Sequence, residues 1–150
     1  MRFVIQRVSE ASVTTEGQVI GQIGNGFLVL IGVTDGDNTA IADKMVRKML
    51  GLRIFQDEQG KTNLSLDSTG GSVLLVSQFT LYADCKKGNR PSFIQAGSPE
   101  MAKMLYEYVI GQCRKALGDG RVACGSFGAD MKVRLLNDGP FTIILDSDQL

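Results

Sequence analysis

The N-terminal third of the chain alternates between strand-like runs and short breaks that contain glycine. The breaks fall at Glu16-Gly17 and at residues 24–26, and the run that follows, residues 27–31, is apolar throughout. Glycine adopts a positive φ without steric cost, which suits a two-residue hairpin turn at Glu16-Gly17. An unbroken apolar run is typical of a strand in the middle of a sheet. We therefore predict three β-strands between residues 1 and 33.

Two later segments change to helical spacing. In residues 39–50 apolar side chains recur every three or four positions, after a polar break at residues 35–38 that offers an N-cap. A second helix is predicted from Ser98 as N-cap and Pro99 as first helical residue to Gly118, where it ends. The side chains predicted to face the sheet are Met101, Met104, Leu105, Tyr108, Val109, Cys113 and Ala116.

The other predicted strands flank the most conspicuous apolar run, at residues 73–76. This run follows a Gly-Gly pair and ends at Ser77, so we predict a strand that is buried on both faces and has a polar end. Further strands are predicted at residues 52–55, 63–66, 121–123, 131–136 and 141–146. Residues 137–142, between the last two, are either an ordinary hairpin turn or a cis-proline segment whose carbonyls line a pocket.

Length and charge narrow the possible functions. The 150 residues are predicted to form a single domain, and the 16 basic and 16 acidic side chains leave no net charge. No overall field favours non-specific binding to nucleic acid, so any such contact must be local. The N-terminus has a strand pattern and not that of a signal peptide, and no apolar run is long enough to span a membrane. We therefore expect a cytoplasmic protein with no membrane partner.

Cysteine and histidine usage excludes several chemistries. Cys85, Cys113 and Cys124 are odd in number and lack C-x-x-C spacing, which indicates free thiols and argues against a structural zinc site. Histidine is absent, which excludes Ser-His-Asp and Cys-His catalysis. An enzyme of this composition has to use carboxylate or lysine bases, groups of the substrate, or backbone donors. We predict no cofactor and no metal.

A long polar loop is predicted between the buried strand and the second helix, at residues 82–97. It contains the basic residues Lys86, Lys87 and Arg90 and the aromatic residue Phe93. Loops of this length are more often functional or disordered than shorter ones. The loop is either a solvated connection or a local phosphate contact in which Phe93 stacks on a base.

Two segments resemble the paired signature of D-aminoacyl-tRNA deacylases. The first is Ser77-Gln78-Phe79-Thr80-Leu81 and the second is Asn137-Asp138-Gly139-Pro140-Phe141-Thr142. Each is weak alone. As a pair at this separation, with Gly88-Asn89-Arg90-Pro91-Ser92-Phe93 between them, they are specific, and the resemblance extends over essentially all 150 residues.

The resemblance implies an enzyme that cleaves the ester between a D-amino acid and the 3′ end of tRNA, and that also removes glycine from mischarged tRNA. It implies an α+β fold, an antiparallel, barrel-like β-sheet with two main helices packed outside, assembled as a homodimer. The Gly139-Pro140 bond would be cis and would complete the partner subunit's pocket, which is built on residues 77–80. Arg7, on the first strand, would hold that turn in place.

The resulting set of site residues contains no histidine. The predicted catalytic residues are Ser77, Gln78, Phe79 and Thr80, and the predicted substrate-binding residues are Asn137, Gly139, Pro140, Arg7, Met131 and Phe93. An aminoacyl ester is already activated, so the site mainly has to hold the carbonyl and stabilise its oxyanion. We expect the N–H groups of Gln78 and Phe79 to do this. The nucleophile is either Thr80 Oγ1 or a water assisted by the tRNA 2′-hydroxyl, and the lack of an evident base for Thr80 favours water.

Selectivity is expected to come from the backbone. A carbonyl of Gly139 or Pro140 that binds the substrate α-amino group would direct an L side chain into the same wall. Such a site rejects L substrates without selecting among D side chains.

Two other functions remain open. The first is a non-catalytic dimeric module that binds tRNA 3′ ends or D-amino acids, which the lack of an evident base favours and the paired motifs oppose. The second is a hydrolase that uses Cys85 or Cys124, which is disfavoured because no histidine can activate the thiol. The expected partner is tRNA, and DNA is not expected.

Overall fold

The structure, a computed structural model, describes residues 1–150. The strands are β1 (Arg2–Thr15), β2 (Gln18–Ile23), β3 (Gly26–Gly32), β4 (Arg53–Gln56), β5 (Thr62–Ser65), β6 (Ser72–Ser77), β7 (Val122–Cys124) and β8 (Lys132–Asp146), and the helices are α1 (Thr39–Leu50) and α2 (Pro99–Leu117). Most of the predicted elements are therefore confirmed, and the hairpin turn is formed by Glu16 and Gly17, both at positive φ.

The sheet is organised around β1, which pairs with three other strands. Its first half pairs with β3 and its second half with β2, while β8 follows the opposite edge along almost its whole length. The path continues from β3 to β6 and β7. At the two ends of this path β2 approaches β7, since a Cβ at Gly21 would lie 2.9 Å from the Cys124 carbonyl oxygen. The sheet is therefore barrel-like and nearly closed, as predicted.

The sheet is mixed, which corrects the prediction of an antiparallel sheet. The pairs β3–β6 and β6–β7 are parallel. After β3 the chain crosses over through α1 and the β4–β5 hairpin, so β6 starts beside the start of β3, with Gly26 opposite Ser72. A crossover of this kind is the connection that parallel neighbours require.

The strand β6 is buried on both faces, as the apolar run predicts. Val73 and Leu75 belong to a core of 24 buried residues beneath the two helices. Leu74 and Val76 belong to a second core of 6 buried residues on the other face of the sheet, together with Val8. Successive side chains of a strand point to opposite faces, so each half of the run fills a different core.

The helix α1 has the predicted bounds, and its N-cap is Asn38, whose Oδ1 accepts the Ile41 N–H at 3.0 Å. In α2 the predicted bounds are correct but the predicted buried face is partly wrong. The buried residues are Ala102, Leu105, Tyr106, Val109, Ile110 and Cys113, while Met104 is 53% exposed and Ala116 is exposed. The packing turns Tyr106 inward because its hydroxyl donates to the Leu75 carbonyl oxygen at 2.8 Å.

The last two predicted strands are one strand, β8. Of the two interpretations of residues 137–142, the hairpin turn is wrong, and the Gly139-Pro140 bond is cis. Asn137 is opposite Val8 and Thr142 is opposite Gln6, so both halves pair with β1 in the same direction. The four residues between them bulge outward opposite Arg7. We call residues 138–141 the Gly-Pro bulge.

None of the helices is long and apolar enough to cross a membrane.

Candidate functional site

A pocket of about 400 Å³ lies at the carboxyl end of β6. Its walls come from the end of β6, the start of α2, the loop after β7 and the start of β8. The lining residues include Val76, Ser77, Gln78, Phe79, Pro99, Ala102, Phe127, Asp130, Met131 and Val133. The structure thus brings together three of the four predicted catalytic residues with Met131, and the loop after β7 forms part of the rim.

The segment after β6 is held in place by a hydrogen bond to β3. The Gln78 N–H donates to the Ile31 carbonyl oxygen at 2.8 Å, which extends the parallel ladder by one residue beyond Ser77. A 3₁₀ turn, Phe79–Tyr82, follows at once. This turn packs so closely on Gly32 that a Cβ there would lie 3.0 Å from the Leu81 Cβ.

The first two N–H groups of this turn have no partner within it. The first hydrogen bond of the turn is donated by the Leu81 N–H to the Gln78 carbonyl oxygen, at 3.3 Å. The N–H groups of Phe79 and Thr80 precede it, so they are the unpaired donors that the start of any helix presents. Such donors, held on a rigid strand end, suit the binding of an anion or of a polarised carbonyl.

Thr80 has an amide neighbour and no base. Its Oγ1 accepts a hydrogen bond from Gln78 Nε2 at 2.6 Å. The single acidic side chain among the pocket-lining residues is Asp130, which pairs with Lys132 at 2.9 Å. The partner of Thr80 is therefore an amide and not a base, and the one carboxylate of the pocket wall is paired with Lys132.

Tyr106 holds the pocket rim against the strand. Its hydroxyl lies 2.8 Å from the Leu75 carbonyl oxygen and 3.2 Å from that of Gly125, and its ring contacts Phe127 at a centroid distance of 6.0 Å. Burial raises the pKa of Tyr106 well above its ordinary value. The hydroxyl therefore stays protonated and remains a donor.

Arg7 anchors the Gly-Pro bulge from inside the fold. Its side chain is 8% exposed, and its Nε donates to the Asp138 carbonyl oxygen at 2.9 Å. Its Nη1 donates to the Ile54 carbonyl oxygen at 2.6 Å, and the guanidinium lies 4.6 Å from the centre of the Phe141 ring. Hydrogen bonding and stacking by one planar group fix both ends of the bulge.

Asn137 connects the two ends of the bulge by hydrogen bonds. Its Oδ1 accepts the Phe141 N–H at 2.6 Å, and its Nδ2 contacts Gln6 Oε1. Gly139 and Pro140, at the tip, are exposed, and the bond between them is cis. The tip of the bulge is thus accessible from outside the molecule.

Within one chain the Gly-Pro bulge lies away from the pocket, and neither Gly139 nor Pro140 lines it. Ser77 is opposite Ile31, which is opposite Phe3, whereas the bulge lies opposite Arg7. Four residues of a strand span about 13 Å, and the three strand spacings from β8 to β6 add about 14 Å across the sheet. The two signature segments therefore do not form one site within this chain.

Phe93 returns to the pocket mouth at the end of the long loop. It forms an edge-to-face pair with Phe79 at a centroid distance of 5.0 Å, and Phe79 remains 56% exposed. The loop is pinned by mutual hydrogen bonds between Asp84 and Ser92.

All three cysteines are free, and burial raises the pKa of Cys113 to about 12.

A model of a protein family described as D-Tyr-tRNA(Tyr) deacylase matches residues 4–146. The D-aminoacyl-tRNA deacylase of Lactobacillus acidophilus is 54% identical over 148 residues, which is 97% of this chain and 99% of that protein. The chain belongs to the D-Tyr-tRNA(Tyr) deacylase family. The D-aminoacyl-tRNA deacylase of Clostridioides difficile is 53% identical over 150 residues, 99% of each chain. The predictions of this family and of an enzyme of the ester hydrolase class are confirmed.

Solved structures support the same fold. A structure described as c-Myc DNA unwinding element binding protein superposes with a TM-score of 0.92, at 43% identity, covering 97% of this deacylase chain and 98% of the other. A probable eukaryotic D-amino acid tRNA deacylase superposes with a TM-score of 0.83 at 20% identity, over 96% of this chain and 97% of the other.

Besides Tyr106, sequence reasoning missed Arg2, which positions the turn after β6. Arg2 Nη1 donates to the Leu81 carbonyl oxygen at 2.9 Å, its Nη2 binds Asp146 at 2.6 Å, and it lies over the Tyr82 ring. It thereby ties the turn after β6 to the ends of β1 and β8. Because Arg2 and Leu81 are 79 positions apart, no local pattern could have indicated this contact.

Proposed function

We propose that this chain hydrolyses the ester bond of D-aminoacyl-tRNA and of mischarged glycyl-tRNA, releasing the amino acid and free tRNA. The observation that carries the proposal is the pair of unpartnered N–H groups at Phe79 and Thr80, held at the pocket by the rigid end of β6 in a member of a deacylase family. An ester carbonyl seated there gains negative charge during attack. Preorganised donors stabilise that charge at the moment it forms.

This geometry revises which donors are proposed. The Gln78 N–H is already donated to Ile31, so we assign the oxyanion hole to Phe79 and Thr80. Gln78 keeps a different role, because its side chain fixes the Thr80 hydroxyl. Loss of one oxyanion donor costs roughly 3 to 4 kcal/mol of transition-state stabilisation in other hydrolases.

The proposed nucleophile is water, assisted by the terminal ribose 2′-hydroxyl of the tRNA. Thr80 Oγ1 could attack only if a base took its proton, and its hydrogen-bond partner is the Gln78 amide, which is not basic. A substrate hydroxyl next to the ester supplies the missing polar group in a chain without histidine. The Thr80 hydroxyl then orients the ester or the water.

The proposed assembly is a homodimer in which each Gly-Pro bulge completes the pocket of the partner. The separation of bulge and pocket within one chain supports this arrangement, because a site that uses both segments requires two chains. A backbone carbonyl of Gly139 or Pro140, which are both exposed residues, would accept the substrate α-amino group. An L side chain would then point into the bulge, whereas glycine has no side chain to exclude.

The aromatic pair at the pocket mouth is the proposed platform for the terminal base of the tRNA. Phe79 and Phe93 present exposed ring surface next to the pocket, and base stacking on such rings is worth about 1 to 3 kcal/mol per base. The exposed cations Lys86, Lys87 and Arg90 of the same loop would contact the phosphates nearest to that base.

The deciding experiment compares D-Tyr-tRNA with L-Tyr-tRNA in the presence of EDTA and with blocked cysteines. We expect loss of the D ester alone. D-Asp and glycyl esters should be hydrolysed at rates within about two orders of magnitude of D-Tyr, because the proposed site rejects L substrates without reading the D side chain. Survival of all the esters would contradict the proposed function.

A non-catalytic nucleic-acid-binding module is the second candidate, and the absence of a base next to Thr80 favours it. The 43% identical structure described as a DNA unwinding element binding protein adds a reason to test it. Thr80→Ala and Pro140→Ala separate the two functions. A binding module would lose affinity only, whereas an enzyme would lose turnover.

A further inference from the structure

A groove of about 650 Å³ at the C-terminal half of α1 is lined by four basic side chains. They are Lys44, Arg47 and Lys48 of α1 and Arg53 of β4, and we call them the basic groove. The other lining residues are Gly51, Leu52, Gln149 and Leu150. No residue of either signature segment lies in this groove.

Its basic residues are concentrated in a short stretch of the chain. From Lys44 to residue 56 the chain has four basic and no acidic residues, although the whole chain has 16 of each. None of the four forms an ion pair with an acidic side chain. Arg53 donates to the Asn63 carbonyl oxygen, and Lys44 contacts a backbone oxygen of Leu150, the last residue of the chain.

Helix stability explains only part of this arrangement. Cations in the last turn interact favourably with the helix dipole, which accounts for Arg47 and Lys48. Lys44 lies earlier in the helix and Arg53 lies outside it. The one acidic residue next to the cluster in α1, Asp43, accepts a hydrogen bond from Tyr108 of α2 at 3.0 Å and forms no ion pair with the four cations.

The groove lies along a helix that begins beside the pocket. The Gly97 N–H donates to the Val33 carbonyl oxygen at 2.8 Å and the Ser98 N–H to Asp35 at 3.2 Å, so the segment entering α1 packs on the pocket edge. Lys44 and Lys48 follow Thr39 by five and nine residues, which is about 8 and 14 Å along the helix axis. The groove therefore lies within about three helical turns of the start of α1, which is the end of the helix nearer the pocket.

We propose that the basic groove binds the sugar-phosphate backbone of the tRNA beyond its aminoacylated end. This inference rests on the proposed function and extends it from the terminal nucleotide to the body of the substrate. Lysine ammonium groups act as point charges and the arginine forks bind phosphate oxygens in pairs, with no dependence on base sequence. A neutral protein thereby holds a polyanion through one local surface.

The test measures binding of uncharged tRNA by fluorescence anisotropy over a range of salt concentrations. The variant is K44Q/R47Q/K48Q, and the matched control is K61Q/K103Q, which neutralises exposed lysines outside the groove. Arg53 is left in place because it also bonds to Asn63 within the β4–β5 hairpin. All five altered positions are exposed, so circular dichroism should show the wild-type fold, with only the small loss of stability that follows from removing two cations at the end of α1.

We expect the groove variant to bind tRNA at least tenfold more weakly at low salt, and the slope of log Kd against log salt to fall by about two to three. The control should stay within about twofold of the wild type. Equal affinity and slope for the groove variant and the control would overturn the inference.

A kinetic arm separates this inference from the proposed function. D-aminoacyl-adenosine carries the ester but no tRNA body. Neutralising the groove should lower kcat/KM for D-aminoacyl-tRNA at least tenfold more than for D-aminoacyl-adenosine, mainly through KM. A wild-type protein that cleaves neither ester would contradict the proposed function, whereas the salt-dependent binding of tRNA would still decide the role of the groove.

Discussion

The two signature segments of this deacylase are held in place by opposite means. Residues 77–80 continue a strand whose alternate side chains fill two apolar cores, so hydrophobic packing fixes their backbone. The Gly-Pro bulge lies on β8, which pairs along one edge only, and polar contacts from Arg7 and Asn137 hold it. The pocket segment therefore depends on the core, and the bulge depends on a few hydrogen bonds.

This difference indicates where each segment is vulnerable. Hydrophobic packing is spread over many contacts, so no single polar side chain should control the pocket segment. A hydrogen-bonded bulge loses its shape when one buried donor is removed, because the carbonyls left behind stay unsatisfied. The predictions below test this contrast, beginning with the largest expected effect.

Arg7→Met should be the most damaging change at the bulge. It removes the donors to Asp138 and Ile54 and is expected to lower the free energy of unfolding by about 2 to 4 kcal/mol. Deacylation of D-Tyr-tRNA should fall with it if the bulge completes the site. Urea denaturation and deacylation assays measure the two effects. A stable variant with full activity would show that the bulge needs no anchor.

Asn137→Ala should have an intermediate effect. The Phe141 N–H loses its side-chain acceptor, which we expect to cost about 1 to 2 kcal/mol of unfolding free energy. Asn137→Asp is the matched control, because a carboxylate oxygen can still accept that N–H. If both variants have the same melting temperature, the hydrogen bond from the Phe141 N–H to residue 137 does not determine the stability of the bulge.

Arg2→Met should have a smaller effect that depends on pH. Burial by itself raises the pKa of Asp146, but hydrogen bonds from Arg2 and from the Asp148 N–H hold the pKa of that carboxyl below its usual value. A folded pKa below the unfolded one stabilises the protein at neutral pH, and this stabilisation is lost as the pH falls through the folded pKa. We expect a loss of about 1 kcal/mol at pH 7 that shrinks below about pH 4. Melting curves across pH measure this difference, and a gap that is independent of pH would argue against the Asp146 pair as its source.

Thr80→Val should have the smallest effect on stability, within about 0.5 kcal/mol, because the side chain is exposed. With water as nucleophile, the turnover number should fall by less than about a hundredfold, which corresponds to one lost hydrogen bond to a charged or polarised group. A loss of many thousandfold, together with an acyl-enzyme detected by mass spectrometry, would identify Thr80 as the nucleophile. A 2′-deoxy substrate provides the complementary test of the ribose hydroxyl.

Local patterns in the sequence predict much of the fold. The bounds of α1 and α2, the hairpin at Glu16-Gly17 and the double burial of β6 each follow from periodicity or from turn residues within a few positions. The errors share one cause. Whether residues 137–142 turn back or continue depends on which strand pairs with each side, and both sides pair with β1, more than a hundred positions away.

The features of the candidate site likewise fall into those that the sequence predicts and those that only the structure shows. The residue types already exclude histidine chemistry, and the two motifs indicate a deacylase and the residues of its pocket. The sequence does not show which N–H groups are free, because Gln78 is occupied only through its partner on β3. Nor does it show that Met131 meets Ser77 in one pocket, or that four cations share one groove.

The sequence by itself determined the local elements, the chemistry available without histidine and the membership of the family. The tertiary structure alone decided the parallel pairing of β3 with β6, the inward face of α2 and the distance between the pocket and the Gly-Pro bulge. The physical reason is the separation along the chain over which each kind of interaction acts. Side-chain periodicity and backbone preferences act over a few residues, whereas strand pairing, packing and burial depend on contacts between segments that are far apart in the chain.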